Sequence, residues 1–190
     1  MLNSLRLLLF SPGRLSFEYI HGRRVSHTSP LRMYLIISLV FFLLLPYMNP
    51  VPVERSESHT FSAELYSKAM FVLLPVFAVF LKGMYRDVYY LAHLVFSMYL
   101  FSAMYIGFAL MLSLESLSDR NWFALSLQVL VFTAMVVYAI LALKNTYRET
   151  WFRSIVKFGL LLAIFLPVIA VALDLVSHLP ELFGSEGAVG

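Results

Sequence analysis

The sequence predicts an all-α fold: an integral membrane bundle of about five transmembrane helices, preceded by an amphipathic helix on the cytoplasmic face. Three observations carry this. First, 61% of the 190 residues are hydrophobic and only 13% are charged. A soluble domain has about 45–50% apolar and about 25% charged residues. A chain of this length has no soluble core able to hide so much apolar surface, so lipid must cover part of it. Second, five windows reach the roughly 20 apolar residues that a spanning helix needs. Third, the basic residues between these windows alternate in number from one side to the other. Strands are a poor alternative, because a barrel strand alternates apolar and polar residues, whereas residues 35–45 are almost uniformly apolar.

The elements follow in order. Residues 1–28 form an N-terminal interfacial amphipathic segment. Its apolar run at 7–10 is too short for a signal peptide, and Ser11-Pro12-Gly13-Arg14 stands where a small-residue cleavage site would be needed. Ser11 and Pro12 can open a helix that Gly22 ends, too short and too polar to span, which suits a helix lying on the membrane. Residues 2–10 lie in the same interface or are disordered. Residues 29–180 form the five-span domain, with spans at about 31–48, 64–84, 88–112, 122–143 and 152–173. Ser29-Pro30 supplies an N-cap followed by proline at the first helical position. Pro75 and Pro167 sit inside the second and fifth spans as kinks tolerated by neighbouring helices. Residues 181–190 form a polar, mobile tail. No internal repeat divides the spans into two halves, which argues against a secondary transporter.

Orientation follows from the lysines and arginines. Arg6, Arg14, Arg23, Arg24 and Arg32 precede the first span, Lys82 and Arg86 follow the second, and Lys144, Arg148, Arg153 and Lys157 follow the fourth. The opposite side holds only Arg55, Lys68 and Arg120. The N-terminus is therefore expected in the cytoplasm of a bacterium and the C-terminus in the periplasm, across the inner membrane. Tyrosines and tryptophans near the span ends, among them Tyr89, Tyr90, Trp122, Tyr147 and Trp151, suit an interfacial belt. The net charge of +3 sits in the loops and reads as topology; no basic and aromatic tract suggests nucleic acid.

The third span carries the most specific pattern. Arg86, Tyr89, Tyr90, His93 and Ser97 are spaced by three, four and seven residues, which returns them to one helical face. An ionisable residue inside a span is costly and marks a candidate ligand or proton site. The plain alternative is a neutral imidazole hydrogen-bonded within the bundle. Arg14, Arg23, Arg24 and Arg32 are candidates for lipid headgroup binding, each basic group near an anionic leaflet contributing about 1 kcal/mol. No cysteine occurs, and no His, Asp or Glu spacing inside a span suits a metal, so neither metal nor cofactor is expected. No GxSxG, HExxH, P-loop or GxGxxG motif occurs, and no catalytic residue is assigned. Gln128 suits a bridge between helices, and Ser38, Ser102 and Thr133 can bond to their own helix.

One stretch supports a family resemblance. It runs Pro12-Gly13-Arg14, Glu18-Tyr19-Ile20-His21-Gly22-Arg23-Arg24, then Ser29-Pro30-Leu31-Arg32-Met33-Tyr34-Leu35. A second block is Tyr89-Tyr90-Leu91-Ala92-His93-Leu94-Val95-Phe96-Ser97, accompanied by Leu74-Pro75 with Phe77-Ala78 and by Tyr147-Arg148 with Trp151. These resemble a bacterial membrane family catalogued as a domain of unknown function (number 3667), over about residues 7–171. Many of its members carry an amino-terminal zinc ribbon with paired cysteines, and this sequence has none. A second histidine often follows the one matching His93, where this sequence reads Met98-Tyr99-Leu100-Phe101. The resemblance implies a multi-pass fold and a membrane location and supplies no activity.

Two function classes stay open. One is a non-enzymatic scaffold, assembly or lipid-interacting subunit, with membrane lipids, other membrane proteins or a second copy as partners. The other is a small transporter, channel or intramembrane enzyme built on His93 and the cytoplasmic arginines. Dry packing of His93 favours the first; a polar cavity reaching it favours the second.

Overall fold

The computed structural model describes residues 2–20, 22, 28–48, 72–116 and 122–184. Among them are seven helices and no strand: α1 (Leu2–Phe10), α2 (Arg14–Ile20), α3 (Pro30–Met48), α4 (Val72–Met84), α5 (Tyr90–Ser116), α6 (Trp122–Tyr147) and α7 (Trp151–Gly184). Three are long and apolar enough to cross a membrane, over Tyr90–Leu114, Leu125–Tyr147 and Trp151–Val171. At 1.5 Å per residue, α5 and α6 each measure about 40 Å, more than the roughly 30 Å of a hydrocarbon core. The apolar stretches Pro30–Leu45 and Val72–Met84 are shorter. Residues 64–71, expected to begin the second span, lie outside the described residues. The fifth window extends further than the sequence suggests, because α7 continues through Glu181 to Gly184; the rest of the expected tail, 185–190, is likewise outside.

Local chemistry sets the boundaries. Ser29 precedes Pro30, and the Ser29 carbonyl accepts the first helical bond of α3 from Met33 N–H at 3.0 Å. Proline costs nothing there, since its missing N–H would have no helical partner. Ser102, Ser113, Ser126 and Thr133 each donate to the carbonyl four residues earlier, which satisfies a hydroxyl inside an apolar helix without a tertiary partner.

The helix α5 is the centre of the bundle. Half of its spanning window is buried, against 17% for each of α6 and α7. Leu73, Phe77 and Leu81 of α4 meet Phe96 and Leu100 of α5, Ala139 and Leu143 of α6, and Leu161 and Phe165 of α7. Phe77 lies edge-on to both Phe101 and Phe165, with centroids 5.2 and 4.9 Å away. Tyr34 of α3 and Leu74 of α4 pack with Tyr105 of α5. Leu39 and Leu43 of α3, Val129 and Phe132 of α6 and Leu160 and Val171 of α7 are exposed. An apolar rind of this size around a packed core suits contact with lipid.

The N-terminal pair α1–α2 packs into this bundle. Leu8 and Leu15 are buried with Met33, Val95, Tyr99 and Ala103. The Tyr138 hydroxyl donates to the Leu8 carbonyl at 2.6 Å. Tyr138 lies about 13 Å along α6 from its end at Tyr147, so α1 reaches below the end of the bundle. Ser11-Pro12-Gly13 forms the turn between the two helices. Asn145 Nδ2 donates to the Pro12 carbonyl at 2.9 Å, and Thr146 Oγ1 to the Gly13 carbonyl at 3.2 Å. Gly13 has φ +79°, and a Cβ there would stand 2.5 Å from the Ala142 carbonyl oxygen. No other residue type fits that turn without moving it off α6. At the far end of α1, Ser4 Oγ accepts from Thr28 N–H at 3.1 Å, and Tyr99 donates to the Thr28 carbonyl at 3.2 Å. These contacts tie the N-terminal segment to the start of α3.

Candidate functional site at the basic end of the bundle

The ends of α4 and α6 and the starts of α5 and α7 meet at one end of the bundle, which carries Lys82, Arg86, Lys144, Arg148, Arg153 and Lys157. Two turns build it, 85–89 and 148–150. Lys82 fastens the first by donating to the carbonyls of Arg86 and Val88 at 2.7 and 2.8 Å, which satisfies acceptors that α4 and α5 cannot reach. In the second, Glu149 N–H bonds to the Lys144 carbonyl at 3.3 Å across Arg148, whose φ is +52°. This is a left-handed helix stop, a position where glycine is usual.

Behind the turns lies a closed aromatic and polar network. His93 is 0% exposed. Its Nε2 faces the Tyr85 carbonyl oxygen at 3.2 Å, and its Nδ1 faces the Tyr147 hydroxyl at 2.7 Å. A carbonyl only accepts, so Nε2 carries a proton and donates to Tyr85, while Nδ1 pairs with the Tyr147 hydroxyl. The imidazole is thus satisfied on both sides. The rings of Tyr147 and Tyr85 are stacked, with centroids 3.8 Å apart and an interplanar angle of 11°. The Tyr85 hydroxyl donates to Glu149 Oε2 at 3.2 Å, and Lys157 donates to Glu149 Oε1 at 2.5 Å while lying 3.7 Å over the Tyr85 ring. Burial, and then the neighbouring Glu149 carboxylate, raise the Tyr85 hydroxyl well above the usual tyrosine range. It stays a donor at every physiological pH.

In front of the network is a groove of about 560 Å³, whose lining includes Phe17, Ile20, Arg86, Tyr89, Arg148 and Lys157. The Arg148 guanidinium lies 4.4 Å over the Phe17 ring, so α2 forms one wall. A second groove of about 520 Å³ lies beside it, lined by Phe10, Arg14, Phe17, Leu141, Asn145 and Arg148 among others.

The five residues that the sequence puts on one face are divided here. Arg86 and Tyr89 precede α5 and line the groove, with Tyr89 87% exposed. Tyr90 turns to α4, its hydroxyl donating to the Pro75 carbonyl at 3.3 Å. His93 and Ser97 are buried together, Ser97 Oγ donating to the His93 carbonyl at 2.8 Å. Of the four arginines expected at headgroups, Arg14 is exposed and pairs with Glu18 at 2.8 Å, and Arg32 is exposed near the start of α3. Arg23 and Arg24 lie outside the described residues, as do His21 and His27. No group of three or more His, Asp or Glu side chains able to hold a metal ion occurs among the described residues. Sequence reasoning did not find Tyr85, Arg148, Glu149 or Lys157 as site residues. The resemblance of Tyr147-Arg148 and Trp151 to a family motif was the one signal at that turn.

Neither a curated protein nor a solved structure matches the chain. Residues 1–42, which comprise α1, α2 and the greater part of α3, match the family described as "Protein of unknown function (DUF3667)". Over that stretch the chain is similar to an uncharacterised family, in agreement with the motif at Pro12-Gly13-Arg14 and Ser29-Pro30.

Proposed function

We propose that the chain is a multi-pass protein of a bacterial inner membrane that crosses it five times, with its N-terminus cytoplasmic and its C-terminus periplasmic. In that membrane it serves as a non-enzymatic scaffold, assembly or lipid-interacting subunit. The observation that carries the functional part is the state of His93, which is wholly buried with both ring nitrogens engaged inside the protein. A proton carrier or ligand-binding histidine needs a route to water or substrate and a free nitrogen. The apolar rind on α3, α6 and α7 and the concentration of basic residues at one end support the membrane topology.

Two measurements test the proposal. A reporter that is active only outside the cytoplasm, fused after Gly190, should be active; a silent reporter beside an active cytoplasmic one overturns the orientation. Ser97→Cys introduces a single thiol into a chain without cysteine, one turn from His93. It should resist a water-soluble maleimide in intact membranes. Rapid labelling would reveal a wet cavity at His93 and favour the transporter, channel or enzyme reading instead.

A further inference from the structure

The groove at the basic end has the chemistry of an amphiphile site. Arg86 and Arg148 line it, and neither has an ion pair among the described residues, whereas Lys157 is held by Glu149. Asp87 is the other carboxylate in the wall. Arg148 occupies a left-handed position, and among the described residues glycine stands at the other two positions of positive φ, Gly13 and Gly22. A side chain costs about 1–2 kcal/mol in that conformation, so the guanidinium must contribute something glycine would lose. Its contact with Phe17 uses one face of the guanidinium and leaves the N–H edge for hydrogen bonds. Hydrocarbon forms the rest of the site: Ile20 and Tyr89 in the first groove, Phe10 and Leu141 in the second, with Arg148 and Phe17 common to both. In the second groove Leu141, Asn145 and Arg148 are spaced to fall along one side of α6, and Phe10 in its wall is 80% exposed.

We propose that this paired groove binds one anionic membrane phospholipid, the phosphate taken by Arg86 and Arg148 and an acyl chain laid along Phe10, Phe17 and Leu141. A planar guanidinium matches phosphate oxygens in a two-point fork. A free phosphate would have no use for the hydrocarbon furrow, which is why a lipid is the occupant. The inference rests on the membrane-spanning reading above.

Its test is lipid titration of the purified protein read by native mass spectrometry, comparing phosphatidylglycerol with phosphatidylcholine of the same acyl chains. Phosphatidylglycerol should bind more tightly, and Arg86→Gln and Arg148→Gly should each weaken it by about tenfold, the scale of one charge-assisted hydrogen bond. Arg148→Gly suits the left-handed turn and keeps the fold. Arg6→Gln, on the exposed side of α1, should change nothing. Equal binding of the two lipids, or an equal loss in Arg6→Gln, overturns the proposal. Displacement of phosphatidylglycerol by glycerol phosphate at matching concentration also overturns it, in favour of a soluble phosphate. A protein that stays monodisperse without detergent overturns the membrane reading itself, a result separate from every lipid arm.

Discussion

Replacing Gly13 by alanine adds one methyl group at the place where the α1–α2 turn touches α6. Two costs arise there. The first is conformational: φ +79° costs an L-residue about 1–2 kcal/mol. The second is steric: the new Cβ would lie 2.5 Å from the Ala142 carbonyl oxygen and 2.8 Å from Thr146 Oγ1. The carbonyl belongs to the backbone of α6 and cannot retreat, so the turn must move. Its movement breaks the bonds from Asn145 and Thr146 to the turn carbonyls, which in a membrane bundle contribute about 0.6–1.7 kcal/mol each. The total is about 2–5 kcal/mol. Gly22 is the internal control: its φ is +91° and a methyl group added there would meet nothing within 4 Å. Gly22→Ala should therefore show the conformational cost alone, about 1–2 kcal/mol. Reversible unfolding in mixed micelles measures both. Leu8→Cys, a single thiol in an otherwise cysteine-free chain, reports on the hairpin: buried in the parent, it should become reactive with Gly13→Ala and stay protected with Gly22→Ala. Equal destabilisation by the two substitutions, with the thiol protected in both, would refute the claim that close approach to α6 holds this turn.

Two further outcomes follow from the same geometry. His93→Ala should leave the protein inserted but cost about 2–5 kcal/mol, from the cavity and from the orphaned Tyr147 hydroxyl and Tyr85 carbonyl; His93→Gln, which keeps a donor, should recover part of this in the same unfolding assay. Gly107→Ala brings a Cβ to 2.6 Å from Met135 Sδ, but a flexible thioether can move, and alanine favours a helix by about 1 kcal/mol, so stability should change by less than about 1 kcal/mol. A larger loss would mean that Met135 is locked and that α5 and α6 cannot adjust to each other.

The long helices were readable from their unbroken apolar runs, of which 122–143 and 152–173 stand out. The start of α3 was readable because Ser29-Pro30 is a local signal with a local cause. The face containing Arg86, Tyr89 and His93 was misleading for a simple reason: helical periodicity applies only inside a helix, and α5 begins at Tyr90, after a turn that Lys82 ties off. The docking of α1 and α2 was not readable at all. Leu8 and Leu15 look like any apolar residues of an interfacial helix, and their burial depends on Tyr99 and Tyr138, far away in sequence. The left-handed turn at Arg148 was not readable, because such a backbone leaves no mark in composition when the residue is not glycine.

That distance in sequence has a consequence for biogenesis. The hydrogen bonds from Tyr138, Asn145 and Thr146 to the first hairpin span 130, 133 and 133 residues. A ribosome adding about 5–20 residues per second needs on the order of ten seconds to make that much chain. The α1–α2 hairpin is thus made well before the helix that seats it. Until α6 arrives, the carbonyls of Leu8, Pro12 and Gly13 lack the donors that α6 supplies, so the hairpin cannot take its final place before the sixth helix is made.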